Sequence, residues 1–340
     1  MEHIAIDLGS RESQVCVRDK DGAIVLERRT ATSRLAAWLA SRATARVIVE
    51  TSAEALTVAD AARVAGHQVR VVPATLVRAL GVGARGIKND VRDARVLSEA
   101  SCRMDLPSVH LPAPLSRERK ARCTAREALV STRTQLASTV RGLLRAHLMV
   151  LPPGHVETLP KRVRAKVQAQ PSGMASYLEQ LLQAIEAISA QIALADAELE
   201  RLVQHDSTCT RLMTVPGVGP VTAMRFVAAI DQVGRFPSSN KLESYLGLTP
   251  GEKTTGFRER RTRITKAGPA SVRHCLGQAA LSLKRARPND PMVRWAKQVE
   301  LRVGKHKATV ALARKLAGIL YAIWRDGSVY DPTRSASARP

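Results

Sequence analysis

Four carboxylates, Asp7, Glu50, Asp90 and Asp93, have the types and placing of a metal-binding acid set. Asp7 lies near the end of the apolar run Ile4–Leu8, and Glu50 closes Val47-Ile48-Val49. An acid inside an apolar strand is costly unless it is paired or holds a metal. Asp90 and Asp93 are three residues apart in a predicted helix, so they project from one face. Oxygen ligands so arranged suit one or two Mg²⁺ ions. Two such ions about 4 Å apart hold the attacking and leaving oxygens of a phosphodiester in line. Asp93, close to Arg92 and Arg95, also reads as a member of an exposed ion pair.

A second group lies far along the chain. Between Glu252 and Arg273, the cations Lys253, Arg258, Arg260, Arg261, Arg263, Lys266 and Arg273 face only Glu252 and Glu259 as acids. Thr254-Thr255-Gly256 lies within this stretch. Hydroxyls beside a glycine and flanked by cations describe a site for a phosphate under attack, although such a run also serves as a plain solvated loop. Upstream, Val215-Pro216-Gly217-Val218-Gly219-Pro220 has the form of the glycine-rich turn of a helix-hairpin-helix. Gly217 and Gly219 would let the backbone approach a DNA phosphate at the start of the next helix, or would simply close a tight turn.

The elements that must position these groups follow from periodicity. Ile4–Leu8, Gln14–Arg18 and Ala23–Arg28 read as three strands, the last two joined by the turn Lys20-Asp21-Gly22. A helix over Ser33–Ser41, a strand over Val47–Glu50, a helix over Ala53–Ala65 and a strand over Gln68–Val72 come next. That order is the order of an RNase H-like α/β domain. Lys88-Asn89-Asp90 then opens a helix to about Cys102, prolines at 107, 112 and 114 mark a linker, and Ser116–Met149 is helical and basic. Met174, Leu178, Leu181, Ile185, Ile188, Ile192, Ala195, Leu199 and Leu202 alternate steps of four and three. This heptad seam predicts a long helix in a coiled coil, paired within the chain or between chains. The expected organisation is an α/β domain over 1–106, a basic helical extension and linker over 107–170, the coiled-coil helix over 171–205, an α-rich domain over 206–330, and a frayed tail over 331–340.

Composition narrows the partners. The 340 residues carry 53 Lys+Arg against 30 Asp+Glu, a formal charge of +23, which points to a polyanion and above all to nucleic acid. Aromatic residues make up only 3%, so phosphate contact should dominate over base stacking on a sheet. Trp38, Trp295 and Trp324 read as core. Five scattered cysteines without a C-x-x-C pair exclude a disulfide framework and a zinc site. No apolar run is long enough for a membrane span, and no signal peptide is visible, so the expectation is a cytoplasmic protein without membrane contact.

Together these stretches resemble the DEDD transposases of bacterial insertion sequences, the bridge-RNA-guided recombinase family. The resemblance runs from about Ile4 to Arg325. It rests on Ile6-Asp7-Leu8-Gly9, Val49-Glu50 and Lys88-Asn89-Asp90-Val91-Arg92-Asp93-Ala94 in the first half. In the second half it rests on Pro216–Pro220, Tyr245-Leu246-Gly247-Leu248-Thr249-Pro250, and Ile264-Thr265-Lys266-Ala267-Gly268 with Val272-Arg273. It implies a RuvC/RNase H-like domain whose acids, here Asp7, Glu50, Asp90 and Asp93, bind Mg²⁺. It also implies a C-terminal transposase domain with a serine nucleophile that forms a covalent link to DNA, a structured guide RNA, and a homo-oligomer, dimer or tetramer, joined through the coiled coil. The chain departs from the family at the nucleophile, because no serine lies between Ser244 and Ser271 and the place reads Thr254-Thr255-Gly256. Thr255 is the expected nucleophile and Thr254 the alternative. Two other readings stand beside this one: a Mg²⁺-dependent junction-resolving nuclease that uses water, and a non-catalytic DNA or RNA binder.

Overall fold

The computed structural model describes residues 1–80, 89–168, 175–255 and 258–333, with the backbone alone at 253–255 and 258–261. The chain divides into two compact units, Met1–Pro112 and Ala113–Pro340.

In the first unit, alternation of apolar side chains builds β1 (His3–Asp7), β2 (Glu12–Arg18) and β3 (Ile24–Ala31), followed by α1 (Leu35–Ala40) and β4 (Arg46–Glu50). Then come α2 (Ala55–Val64), β5 (Gln68–Val72), α3 (Ala74–Ala79) and α4 (Asp90–Arg103). The strands form one sheet in the order β3-β2-β1-β4-β5, antiparallel among the first three and parallel from β1 through β4 to β5. Period two sorts its side chains. Ile4, Ile6, Val47 and Val49 pack with Leu35 and Leu39 of α1 and Val58, Ala59 and Ala62 of α2, while Ala5 and Ile48 pack with Leu97 and Ala100 of α4. Asp19 caps the β2–β3 turn by accepting from the backbone N–H of Asp21 and Ala23, both at 2.9 Å, and Gly22 takes the left-handed φ of +88°. The stretch Gly81-Val82-Gly83-Ala84-Arg85-Gly86 imitates a dinucleotide loop in sequence without a strand–turn–helix unit around it, and it lies outside the described residues.

The second unit is helical with one hairpin. Its elements are α5 (Pro114–Ala146), α6 (Leu159–Gln168), α7 (Ser176–Gln204), α8 (Ser207–Leu212), α9 (Pro220–Ile230) and α10 (Ser239–Tyr245). They are followed by β6 (Pro250–Thr255), β7 (Arg258–Ile264), α11 (Ala270–Ala286), α12 (Pro291–Val303) and α13 (Lys305–Asp326). Pro114, expected as part of a linker, is the first residue of the 33-residue α5, where its missing N–H costs nothing. The long helix expected at 171–205 is α7, and its partner is α5 of the same chain. Arg119, Arg122 and Arg126 bond Asp206, Glu198 and Asp196 in turn, so the two helices run antiparallel. Buried residues on α7 are Leu178, Leu182, Ile185, Ile192, Leu199 and Val203. Leu182 and Val203 stand beside the predicted seam, so the stripe is the broader one of a bundle helix. All five cysteines are free thiols, and burial pushes Cys209 up to about 12. No helix among the described residues is long and apolar enough to cross a membrane.

The end of α5 carries a local strain. Leu148 has φ +57°, a conformation that suits glycine at a helix C-terminus, and Met149 N–H closes the turn onto Leu144 O at 2.9 Å. The Leu148 side chain is 93% exposed, so it gains almost nothing from burial. Leu148→Gly is therefore expected to stabilise the chain by about 0.5–1 kcal/mol, read as a rise of roughly 1–3 °C in thermal midpoint. A fall would mean that the side chain has a packing role.

Candidate active site and nucleic-acid interface

Three of the four acids are brought to one end of the first unit's sheet. Ile6 pairs with Val49 across the parallel β1–β4 ladder, so Asp7 and Glu50, one residue further on, end neighbouring strands in register. By alternation, both share the face of Ala5 and Ile48, which is the face that α4 covers. Gly9 makes the return to β2 possible immediately after Asp7, because a Cβ there would stand 2.3 Å from Glu12 O.

Helix α4 then sets the third acid. His3 Nδ1 meets Ser101 Oγ at 2.7 Å, and Ser98 Oγ lies 3.3 Å from Cys16 Sγ, the partner of Ala5. Thus α4 runs antiparallel to β1. From His3 to Asp7 a strand rises about 13 Å, and from Ser101 back to Asp93 a helix rises about 12 Å, so Asp93 comes level with Asp7. Asp93 faces the sheet and is only 5% exposed, whereas Asp90, one turn earlier, is exposed. Asn89 caps the helix by accepting from Val91 N–H at 3.0 Å, and a bidentate Arg95–Glu27 pair, both contacts at 2.5 Å, fixes its roll on β3. This pair holds the Glu27 carboxyl below its usual range, with the Arg95 hydrogen bonds as the main cause.

The donor set is chemically suited to Mg²⁺, since carboxylates at two strand ends and a helix start offer the hard oxygens that this ion takes. Among the described residues, however, no three His, Cys, Asp or Glu side chains stand close enough together to hold a metal ion. A helix N-terminus also favours Asp90 and Asp93 through its dipole alone.

In the second unit, the stretch expected as a basic loop is the β6–β7 hairpin. Thr255 pairs with Arg258 at its closed end, and Thr254 pairs with Glu259. The side chains of Thr255, Lys253, Arg258, Arg260 and Arg261 lie outside the described residues. Arg263 and Lys266 are exposed on the descending strand and at its foot. The foot is clasped by the two segments that flank the hairpin. A Cβ on Gly247 would meet Ala267 O at 2.1 Å, and one on Gly268 would meet Tyr245 O at 2.0 Å, with φ +68° and +72° respectively.

Two of the expected nucleic-acid contacts are committed to the fold. Arg273 Nη1 donates to the backbone carbonyls of Leu246, Ala267 and Gly268 at 3.0, 2.7 and 3.0 Å, pinning the clasp. Gly217 has φ +89° and packs on α11, where a Cβ would stand 2.5 Å from Ala279 O. Gly219 differs, because it is the N-cap of α9 and nothing lies within 4 Å of its missing side chain. Sequence reasoning also missed the Arg225–Glu127 pair at 2.5 Å, which joins the buried Arg225 of α9 to an exposed acid of α5. An arginine within the apolar stretch of α9 was the available signal.

The same two regions are matched by comparison with known proteins. A DEDD transposase model of the IS110 type, described as Transposase, matches residues 4–149, and the model described as Transposase IS116/IS110/IS902 family matches residues 209–293. This chain belongs to the IS110-type DEDD transposase family. Family relatives align along nearly all of it. The "Transposase for insertion sequence element IS1328" of Yersinia enterocolitica is 28% identical, covering 96% of this chain and 98% of its own. The "Transposase for insertion sequence element IS1111A" of Coxiella burnetii is 26% identical, over 94% and 88%. A "Probable family 20 transposase" of Pseudomonas aeruginosa is 27% identical, over 98% and 99%. The family membership makes DNA the partner on which such a chain acts.

Proposed function

We propose that this transposase cuts and rejoins DNA through a covalent protein–DNA intermediate, with Asp7, Glu50, Asp90 and Asp93 as metal ligands and Thr255 as nucleophile. The observation that carries the reading is the placing of Asp7 and Glu50 at neighbouring strand ends, level with Asp93 on α4. The sheet order β3-β2-β1-β4-β5 supports an RNase H/RuvC-like first unit. Bound Mg²⁺ would supply charge stabilisation for the phosphorane-like transition state. The Thr255 Oγ–H gives up its proton as Oγ bonds to the scissile phosphorus. The bond to the leaving strand breaks, and that strand's oxygen takes a proton to leave as a hydroxyl. A hydroxyl of the receiving strand reverses the sequence and frees Thr255.

The cations Lys253, Arg258, Arg260, Arg261, Arg263 and Lys266, with the open N–H groups after Gly219, are proposed to hold DNA phosphates. A structured guide RNA fits a chain of charge +23, since such a protein reads backbone shape and leaves sequence to base pairing. A dimer or tetramer along α7 has support from the exposed Tyr177 and Leu194 on that helix.

Gentle purification, sequencing of any bound RNA, and incubation with labelled element-end DNA and Mg²⁺ test this together. The expected result is one discrete structured RNA and an adduct that survives detergent. Cleavage without an adduct would move the assignment to a water-using nuclease, the reading that threonine in place of serine favours. Binding without cleavage would reduce the chain to a nucleic-acid binder.

A further inference from the structure

The three tryptophans, expected as core, are each half-buried at the edge of one. Trp324 packs against the second unit's core, its ring 6.3 Å from that of Phe226 at 55°. Trp295 on α12 packs half-buried against the same core and also borders two cavities. In the larger, of about 650 Å³, Lys315 Nζ stands 4.7 Å from the Trp295 ring centroid. The other is a groove of about 570 Å³ lined by Arg294, Trp295, Gln298, Val299, Leu301 and Arg302, all from one face of α12.

The groove wall holds no acid. Among the described residues, neither Arg294 nor Arg302 is paired with a carboxylate, and neither is Lys315. Burial alone holds the Lys315 ammonium below the usual lysine range. Leu301 is 89% exposed at the groove edge, an apolar side chain left in water. The groove thus combines a flat aromatic wall, an amide at Gln298, an apolar rim and cations without counter-charges. An acidic peptide would satisfy the arginines but not the aromatic wall. A nucleotide satisfies both, because every base has a π-face and every linkage a negative charge. A base inside a duplex has both faces covered by its stacked neighbours, so the nucleotide must be unstacked and unpaired.

We propose that the α12 groove takes an unpaired nucleotide of a DNA strand, its base stacked on Trp295 and the flanking phosphates held by Arg294 and Arg302. Arg302 lies about 12 Å along the helix axis from Arg294, a span of roughly two linkages. The proposal rests on the reading that this chain handles DNA, and it adds a hold on the strand as it opens.

The test uses the full chain and labelled single-stranded DNA, single-stranded RNA of the same sequence, and blunt duplex DNA, with affinity read by fluorescence anisotropy. Trp295→Ala is expected to weaken single-stranded DNA binding about 5- to 100-fold, while Trp295→Phe, which keeps a stacking face, stays within about threefold. Arg294→Ala with Arg302→Ala should lower the salt slope for single strands by about 1.4. Duplex affinity should hold in every variant. Equal weakening of duplex and single strand, or no weakening, overturns the proposal, as does a loss confined to RNA. Should Trp295→Ala fail to fold, as thermal melting would reveal, the phenylalanine and double-arginine variants still decide. A wild-type chain that binds no nucleic acid defeats the functional reading itself, whereas normal binding indifferent to these variants defeats only the groove.

Discussion

Asp7→Asn is expected to lower DNA cleavage by at least about a hundredfold while leaving nucleic-acid binding and the thermal midpoint nearly unchanged. The substitution preserves shape, so β1 keeps its pairing to β2 and β4, and Ile6 and Ala5 keep their places on opposite faces of the sheet. What it removes is a negative charge from the strand end that Glu50 adjoins and Asp93 overlooks. A comparison on α4 separates catalysis from helix stability. If Asp90 served only the helix dipole, Asp90→Asn would cost about 0.5 kcal/mol of stability and no activity. In the metal-ligand reading it loses activity out of proportion to that cost. Cleavage of labelled element ends with Mg²⁺, set beside thermal melting, measures both. Asp7→Asn retaining full cleavage would remove the acids from the chemistry.

Thr255→Ala is expected to abolish the detergent-stable protein–DNA adduct, whereas Thr255→Ser should form it about 2- to 10-fold faster than the natural chain. The β-branch of threonine restricts χ1, and an off-rotamer side chain costs about 0.5–1.5 kcal/mol, which sets that range. Thr254→Ala should leave the adduct in place. Denaturing gels of labelled DNA with each variant give the answer. An adduct that survives Thr255→Ala and disappears with Thr254→Ala would move the nucleophile by one residue.

Much of the first unit was legible because its signals are local. Apolar alternation located four of the five strands within a residue or two, and the order of elements implied the neighbours. The short α3 was not read, since six residues after Pro73 give little periodicity. The β6–β7 hairpin was missed for a different reason. Its strands carry charges or hydroxyls at most positions, so no apolar alternation marks them, and backbone pairing alone defines the register. The seam on α7 was visible, but a heptad does not say whose helix fills it, and α5 begins more than sixty residues earlier. Gly217 and Arg273 show the same limit. A glycine's reach toward a phosphate and its reach toward α11 look alike in sequence, because Ala279 is far along the chain. An arginine in a basic run looks like a phosphate ligand until the carbonyls of Leu246, Ala267 and Gly268 are seen around it.

The antiparallel seating of α4 on β1 makes the helix a ruler between Ser101 and Asp93. Substitutions along it change what the ruler is made of, but a deletion or insertion of one residue changes its length. Losing a residue between these marks would swing Asp93 about 100° around the axis and shift it about 1.5 Å, turning the acid off the sheet. Natural variation in chain length has therefore to fall outside this span, before Asn89 or beyond Arg103, where the helix has ended and the spacing of the acids no longer depends on it.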